Sequence, residues 1–310
     1  MTKLRDHGGG LDAAAAKWGG TRADWLDLST GINPVPYPTG KVSAESWTAL
    51  PDQAAFDRLT TAARAFWTVP EGASILPAPG ASALIAQLPH VVDGQSIQIC
   101  KPTYNEHEAA FVGRGWEIRD GGDVGVFVHP NNPDGRMWDA KEMTNRIRII
   151  DESFCDIAPD QSHMQQTAKP GTIVLKSFGK FWGLAGLRLG FAIGDLEIIA
   201  RLRATLGPWQ VSGPALAIGA TALEDESWAA ATRVRLSEDA RRLDALMTKA
   251  GAKMIGGTTL FRLYDTPNAK EWQNRLAEHH IWSRIFPYSK TWLRLGLPGP
   301  EDWARLEAAL

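Results

Sequence analysis

A chain of 310 residues and 33.8 kDa, 44% hydrophobic and 22% charged, can bury a large core in one big domain or two, which excludes a disulfide-stapled miniprotein or a disordered tail. Lys plus Arg total 33 against 35 Asp plus Glu, a formal charge of -2 with no long run of either sign, so neither nucleic acid nor an anionic membrane is expected as the main partner. Cys100 and Cys155 are too few for a disulfide framework and match no metal spacing, the start is polar and Gly-rich rather than a signal segment, and no apolar run is long enough to span a bilayer, so the reducing cytoplasm is the expected compartment.

Residues 1–40 read as an irregular arm: HGGG at 7–10, a short Ala-rich helix from Leu11 to Trp18, then DLSTGINPVPYPTG, dense in turn formers. From about residue 41, helical patches alternate with the apolar runs SIQIC (96–100), GVFV (125–128), IRIIDE (147–152) and TIVLKSF (172–178), which suit buried parallel strands of an α/β sheet. After Phe191–Gly194 the pattern turns helical over 196–206, 211–223 and 226–250, the last segment carrying the chain to a second domain. Glu224-Asp225-Glu226 is expected to cap that long helix. The remainder alternates AKMI (252–255), TLFRLY (259–264), a helix near 268–279, HIWSRIF (280–286), WLRLGL (292–297) and a final helix from Glu301, which reads as a small α+β domain. His279 and His280 are adjacent, point apart on any regular element and make a poor metal pair. The thirteen tryptophans are expected to fill the core and a subunit interface.

The chemistry concentrates where those strands end. Ser177-Phe-Gly-Lys180-Phe-Trp-Gly-Leu-Ala-Gly-Leu-Arg188 follows the strand 172–176. A lysine there, among Phe181, Trp182 and Leu184, is poorly solvated, and its amine is readied for Schiff-base chemistry. The plain alternative is a loop lysine reaching water. Arg188 offers a planar cation to a phosphate, and the Ser177 hydroxyl can donate to the same group. Asp151 ends another strand, at the carboxyl edge where open α/β sheets bind ligands, and could pair with a protonated ring nitrogen or simply cap a loop. Asn132, in the turn Asn131-Asn132-Pro133-Asp134-Gly135, could present its amide to a phenolic oxygen or only shape the turn. Gly80, Ala81 and Ser82 precede an apolar helix at 83–89, where free N–H groups and the helix dipole favour an anion; an N-cap at Ser82 is the structural reading. Tyr104 could lie over a flat ring, and Arg294 in WLRLGLPG could clamp a carboxylate, though a tyrosine often only packs and a strand arginine often faces solvent.

In this order the motifs resemble the pyridoxal-phosphate enzymes of the aspartate aminotransferase superfamily, fold type I, over nearly the whole length. SFGKFWGLAGLRLGF and the NNPDG turn are similar to histidinol-phosphate aminotransferases, while RDHGGGLDAAAAKWGG followed by DLSTGINP most resembles the threonine-phosphate decarboxylases of cobalamin biosynthesis. The resemblance implies a large cofactor-binding domain over 41–205, with a mostly parallel central sheet flanked by helices, and a smaller α+β domain from 1–40 and 206–310. It implies that Lys180 bonds to the aldehyde of pyridoxal 5'-phosphate, Asp151 pairs with the ring nitrogen, Asn132 meets the phenolic oxygen and Tyr104 stacks on the ring. Gly80, Ala81, Ser82, Ser177 and Arg188 hold the cofactor phosphate, Arg294 binds the substrate carboxylate, and His7, Asn33 and Arg284 lie at the substrate's far end, where Arg284 adds a cation for its phosphate.

The implied reaction is decarboxylation of L-threonine O-3-phosphate, a small phosphorylated amino acid, by a homodimer; transamination of the histidinol-phosphate kind is the alternative. A domain that only binds the cofactor as a sensor is the third reading, but no helix-turn-helix pattern precedes it. Two departures stand out: Phe154 replaces the tyrosine of many aminotransferases, and Leu50-Pro51-Asp52 replaces the Tyr-Pro-Asp whose hydroxyl crosses to a neighbouring subunit. The short run from Asn132 to Asp151 implies a trimmed large domain.

Overall fold

The computed structural model describes residues 7–310. The chain forms two compact units: a larger one of Pro36–Asn132 and Arg136–Ala230, and a smaller one of the described residues up to Val35 with Pro133–Gly135 and Ala231–Leu310.

The larger unit is built on seven strands, β1 (Ser74–Ala78), β2 (Ser96–Ile99), β3 (Glu117–Ile118), β4 (Val124–Val128), β5 (Ile147–Asp151), β6 (Thr172–Ser177) and β7 (Gly190–Gly194), in the order β1-β7-β6-β5-β4-β2-β3. β7 runs antiparallel to both neighbours, and every other pairing is parallel. Continuous apolar sequence explains the central strands: all five residues of β4 are buried, as are all of β6 but its last. One sheet face, with Ile149, Ile173 and Leu175, packs Leu84 and Leu88 of the helix Ala81–Val91, Phe111 of Asn105–Val112, and Ile198 and Leu202 of Leu196–Leu206.

Side chains alternate across a strand, so Lys176 and its cross-strand partner Phe191 face the other way. Aromatic rings fill that side. Trp67 meets Phe191 edge-on at 4.9 Å, and Phe178, Trp182 and Trp228 form a stack with centroids 5.2 and 5.3 Å apart. Several of the tryptophans thus fill this unit's interior, as expected of them.

The connections differ from the βαβ expectation. Between β4 and β5 there is a 3-10 turn, Ala140–Glu142, and between β5 and β6 only the turns Cys155–Ile157, Pro159–Gln161 and Met164–Ala168. The domain boundaries also shift from the expected 40/41 and 205/206. Helix Gly213–Glu224 stays with the larger unit because it packs on Leu59 and Leu189 of that unit at Gly219, and Trp228 stays because it stacks on Trp182. The chain leaves that unit inside the helix Glu226–Lys249, whose start Asp225 caps by accepting from the Trp228 N–H at 3.0 Å.

The smaller unit holds an antiparallel sheet of β8 (Lys253–Gly257), β9 (Phe261–Asp265), β10 (Arg284–Ile285) and β11 (Trp292–Gly296), ordered β10-β11-β9-β8. HIWSRIF is not one strand. Ile281–Trp282 pairs in parallel with Leu26–Asp27 of the arm, and Arg284–Ile285 pairs with β11. Leu11 and Ala14 of the expected short helix pack with Trp25 and Ala277. Among the described residues, no helix is long and apolar enough to cross a membrane.

Candidate active site

The carboxyl ends of β1, β2, β4, β5 and β6 surround a cleft of about 160 Å³, whose lining includes Ala81, Ser82, Tyr104, Asn132, Asp151, Ser177, Lys180 and Arg188. It is the position at which open α/β sheets present ligand-binding groups.

Lys180 is delivered by a tight turn. Past the end of β6, the Gly179 N–H donates to Ser177 Oγ at 3.2 Å and the Gly183 N–H to the Lys180 carbonyl at 3.1 Å. Phe178, Phe181 and Trp182 are fully buried and anchor this turn, so the aromatics expected around the lysine serve as its foundation. The lysine itself is half-buried, and its Nζ lies 5.1 Å from the centre of the Phe154 ring.

Asp151 is the last residue of β5 and is buried. Its Oδ1 accepts from Ser153 Oγ at 2.5 Å and from the Ser153 N–H at 3.0 Å, while Oδ2 lies 2.8 Å from His107 Nε2. Burial pushes the carboxyl up, but the bond to His107, its charge and the two Ser153 bonds outweigh it, holding Asp151 below the usual carboxylate range. Facing an ionised carboxylate, Nε2 of His107 carries the proton and donates. Sequence reasoning missed His107; the available signal was its place three residues after Tyr104 on the helix that follows, where its ring meets the Tyr104 ring edge-on at 6.2 Å.

Asn132 and Tyr104 come from different loops that one buried side chain ties together. Asn131 Nδ2 donates to the Pro102 carbonyl at 3.0 Å, and its Oδ1 accepts from Thr103 Oγ1 at 2.6 Å. This residue also escaped the sequence reading, because nothing in the motif tells which of two adjacent asparagines in a turn faces the cleft.

The expected anion cup lies where the helix Ala81–Val91 begins. Gly80, at φ 85°, occupies the cap position without a side-chain cap, so Ser82 lies inside the first turn rather than capping it. An ideal Cβ on Gly80 would sit 2.5 Å from Arg188 Nη2, and one on Gly190 would sit 2.5 Å from the Ala81 nitrogen. Only glycine at these places lets the guanidinium and the sheet close on the helix start. Arg188 itself adopts a left-handed backbone, φ 53°, and donates from Nη1 to the Ala185 carbonyl at 3.0 Å.

The remaining candidates lie in the smaller unit. Arg284 and Arg294 are cross-strand partners, with guanidinium carbons 5.3 and 5.9 Å from the Phe286 ring centre. Arg284 donates to the His7 carbonyl, and Arg294, buried rather than facing solvent, donates from Nη2 to the Ser29 carbonyl at 2.5 Å. Burial, then the charge of Arg284, pulls Arg294 down to about 9. Asn33 Oδ1 accepts from Arg235 Nη2 at 2.7 Å, and Arg235 also pairs with Asp239 at 3.1 Å. Nothing in the charge pattern of that helix marked Arg235.

One cleft therefore combines an amine, a buried carboxylate and a guanidinium beside a helix start. Residues 121–309 match the family described as aminotransferase class I and II. A threonine-phosphate decarboxylase from Sinorhizobium sp is 38% identical over 98% of this chain and 97% of its own length, and one from Pseudomonas aeruginosa is 37% identical over 99% and 97%. The chain belongs to this pyridoxal-phosphate-dependent family, on its threonine-phosphate decarboxylase branch. Among solved structures, a histidinol-phosphate aminotransferase from Sinorhizobium meliloti in complex with pyridoxal-5'-phosphate superposes with a TM-score of 0.84 at 18% identity, covering 97% of this chain and 93% of its own. At that identity the likeness shows the fold, which is fold type I.

Proposed function

We propose that this enzyme decarboxylates L-threonine O-3-phosphate to (R)-1-amino-2-propanol O-phosphate for cobalamin biosynthesis, using Lys180 and Asp151 with pyridoxal 5'-phosphate. The observation that carries the residue assignment is a lysine amine and an ionised, buried carboxylate lining one cleft at the sheet's carboxyl edge. The cleft fits the cofactor: with no Cβ at Gly80 or Gly190, the Arg188 guanidinium and the sheet lie close against the helix start, where a phosphate would meet the guanidinium and the free N–H groups. Ser82, Ser177, Arg188 and the N–H groups at the start of the helix would hold that phosphate, as the backbone of Gly80 and Ala81 would. Tyr104 would cover the ring, and Asn132 would donate to its phenolic oxygen; Phe154 offers that oxygen no hydroxyl.

When bound, the coenzyme supplies an electron-accepting ring for the pair released from the substrate's α-carbon. Asp151, kept ionised by His107 and Ser153, would hold a proton on the ring nitrogen and favour that acceptance. Lys180 would yield its place to the substrate amine and then deliver a proton from Nζ to the α-carbon once carbon dioxide has left. In the smaller unit, Arg294 would bind the carboxylate, while Arg284, His7 and Asn33 would meet the substrate phosphate. The same assignment favours a homodimer working in the reducing cytoplasm, where Cys100 and Cys155 stay free thiols.

Purified enzyme with cofactor and threonine phosphate is expected to release carbon dioxide with no keto acid present, monitored by coupled bicarbonate detection. A strict need for a keto-acid acceptor would assign it to transamination instead. Arg188→Leu removes a charge-assisted phosphate contact, of about 1.5–3 kcal/mol, so cofactor affinity is expected to fall on the order of ten- to a hundredfold in a fluorescence titration. Unchanged affinity would move the phosphate away from this cup.

A further inference from the structure

Behind the cleft, on the aromatic side of the sheet, lies a charged cluster that the mechanism above does not use. Lys176 of β6 is fully buried, its Nζ 2.7 Å from Glu152 Oε2 and 3.2 Å from Asp156 Oδ1. Glu152 also accepts from Ser162 Oγ at 2.7 Å and from the His163 N–H at 2.6 Å. Asp156 accepts from two indoles, Trp67 at 2.9 Å and Trp182 at 3.0 Å. The other titratable groups whose charge Lys176 feels or affects are Cys155 and His129, and its ammonium lies 5.6 Å from the Trp67 ring centre.

A buried ion pair contributes little stability relative to well-packed apolar side chains, so its use here points to direction rather than to strength. Its attachment points decide what it directs. Glu152 follows Asp151 at the end of β5, Lys176 precedes Ser177 at the end of β6, and Trp182 anchors the turn that carries Lys180. We propose that Lys176 is a positioning residue for the reaction: with Glu152 and Asp156 it clamps the ends of β5 and β6 and the following turn, fixing Asp151 relative to Lys180. This rests on the reaction assigned above, and a change of spacing between those two groups alters the turnover step more than substrate capture.

The test compares holoenzymes. Lys176→Met alone would strand two buried carboxylates, so it is paired with Glu152→Gln, which leaves Asp156 its two indole donors. The double variant is expected to melt within a few degrees of wild type, to lose about tenfold or more in kcat with KM within about threefold, and to shift the pH midpoint of the bound cofactor's visible absorbance, a readout of the groups around Lys180 that needs no turnover. Glu152→Asp, which shortens one arm of the clamp, is expected to shift the same readouts less, and it alone decides the matter if the double variant does not fold. A folded variant with wild-type kcat and an unmoved midpoint would reduce the cluster to filling. If wild type releases no carbon dioxide from threonine phosphate, the reaction assignment falls, while the absorbance midpoint still decides the role of Lys176.

Discussion

Lys180→Ala is expected to lower carbon dioxide release by on the order of 10³-fold or more, because in the proposed assignment it removes both the covalent anchor of the coenzyme and the proton donor to the α-carbon. The fold is expected to survive, since the turn is held by the Lys180 carbonyl and by the buried rings of Phe178, Phe181 and Trp182, which the substitution leaves in place. Borohydride treatment followed by peptide mass spectrometry separates this from simple misfolding. Wild type is expected to carry the reduced coenzyme on the peptide containing Lys180, and the variant on none. A variant that keeps more than about a tenth of wild-type turnover would place the reactive amine elsewhere.

The features legible in the sequence were those fixed by local chemistry. Runs such as GVFV and the IVL of TIVLK are apolar at successive positions because both faces of their strands are covered, and their ends marked the cleft before any fold was known. β1 was harder to see. Pro77 argues against a strand, and it is tolerated because β1 is an edge of the sheet. The short pairing Leu26–Asp27 with Ile281–Trp282 joins residues far apart in the chain, and no periodicity of two residues can announce it.

The same distinction divides the site. Lys180, Asp151 and Arg188 sit in motifs whose spacing carries information, whereas His107, Asn131 and Lys176 are defined by the tertiary contacts they make. His107 reaches Asp151 from the helix Asn105–Val112, Asn131 reaches back across to Pro102, and Lys176 reads in sequence as one polar interruption of a buried strand. The domain boundary differs for a related reason: the helix pattern continues without a break from residue 226 to 249, and tertiary contacts such as Gly219 against Leu59 and Trp228 on Trp182 carry the larger unit into that helix.

Asp151→Asn tests the electrostatic half of the mechanism while keeping the shape of the side chain and an oxygen to accept from Ser153. Removing a preorganised charge opposite developing charge lowers turnover by about 10²–10³-fold, so kcat is expected to fall by that order while the anion cup at Gly80 and Arg188 still retains cofactor. The carboxyl of Asp151 lies below its ordinary range when folded, since the contacts of His107 and Ser153 outweigh the burial that raises it. The stability it contributes is therefore fully present above the unfolded carboxylate value and is lost as pH falls through the folded one. Melting temperatures of the two proteins should accordingly differ by a constant amount above about pH 5, with wild type losing ground to the variant as the solution is made more acid. A wild type that gained on the variant toward acid pH would mean that Asp151 is held neutral, and a neutral acid there could not hold the coenzyme's ring nitrogen in its protonated form.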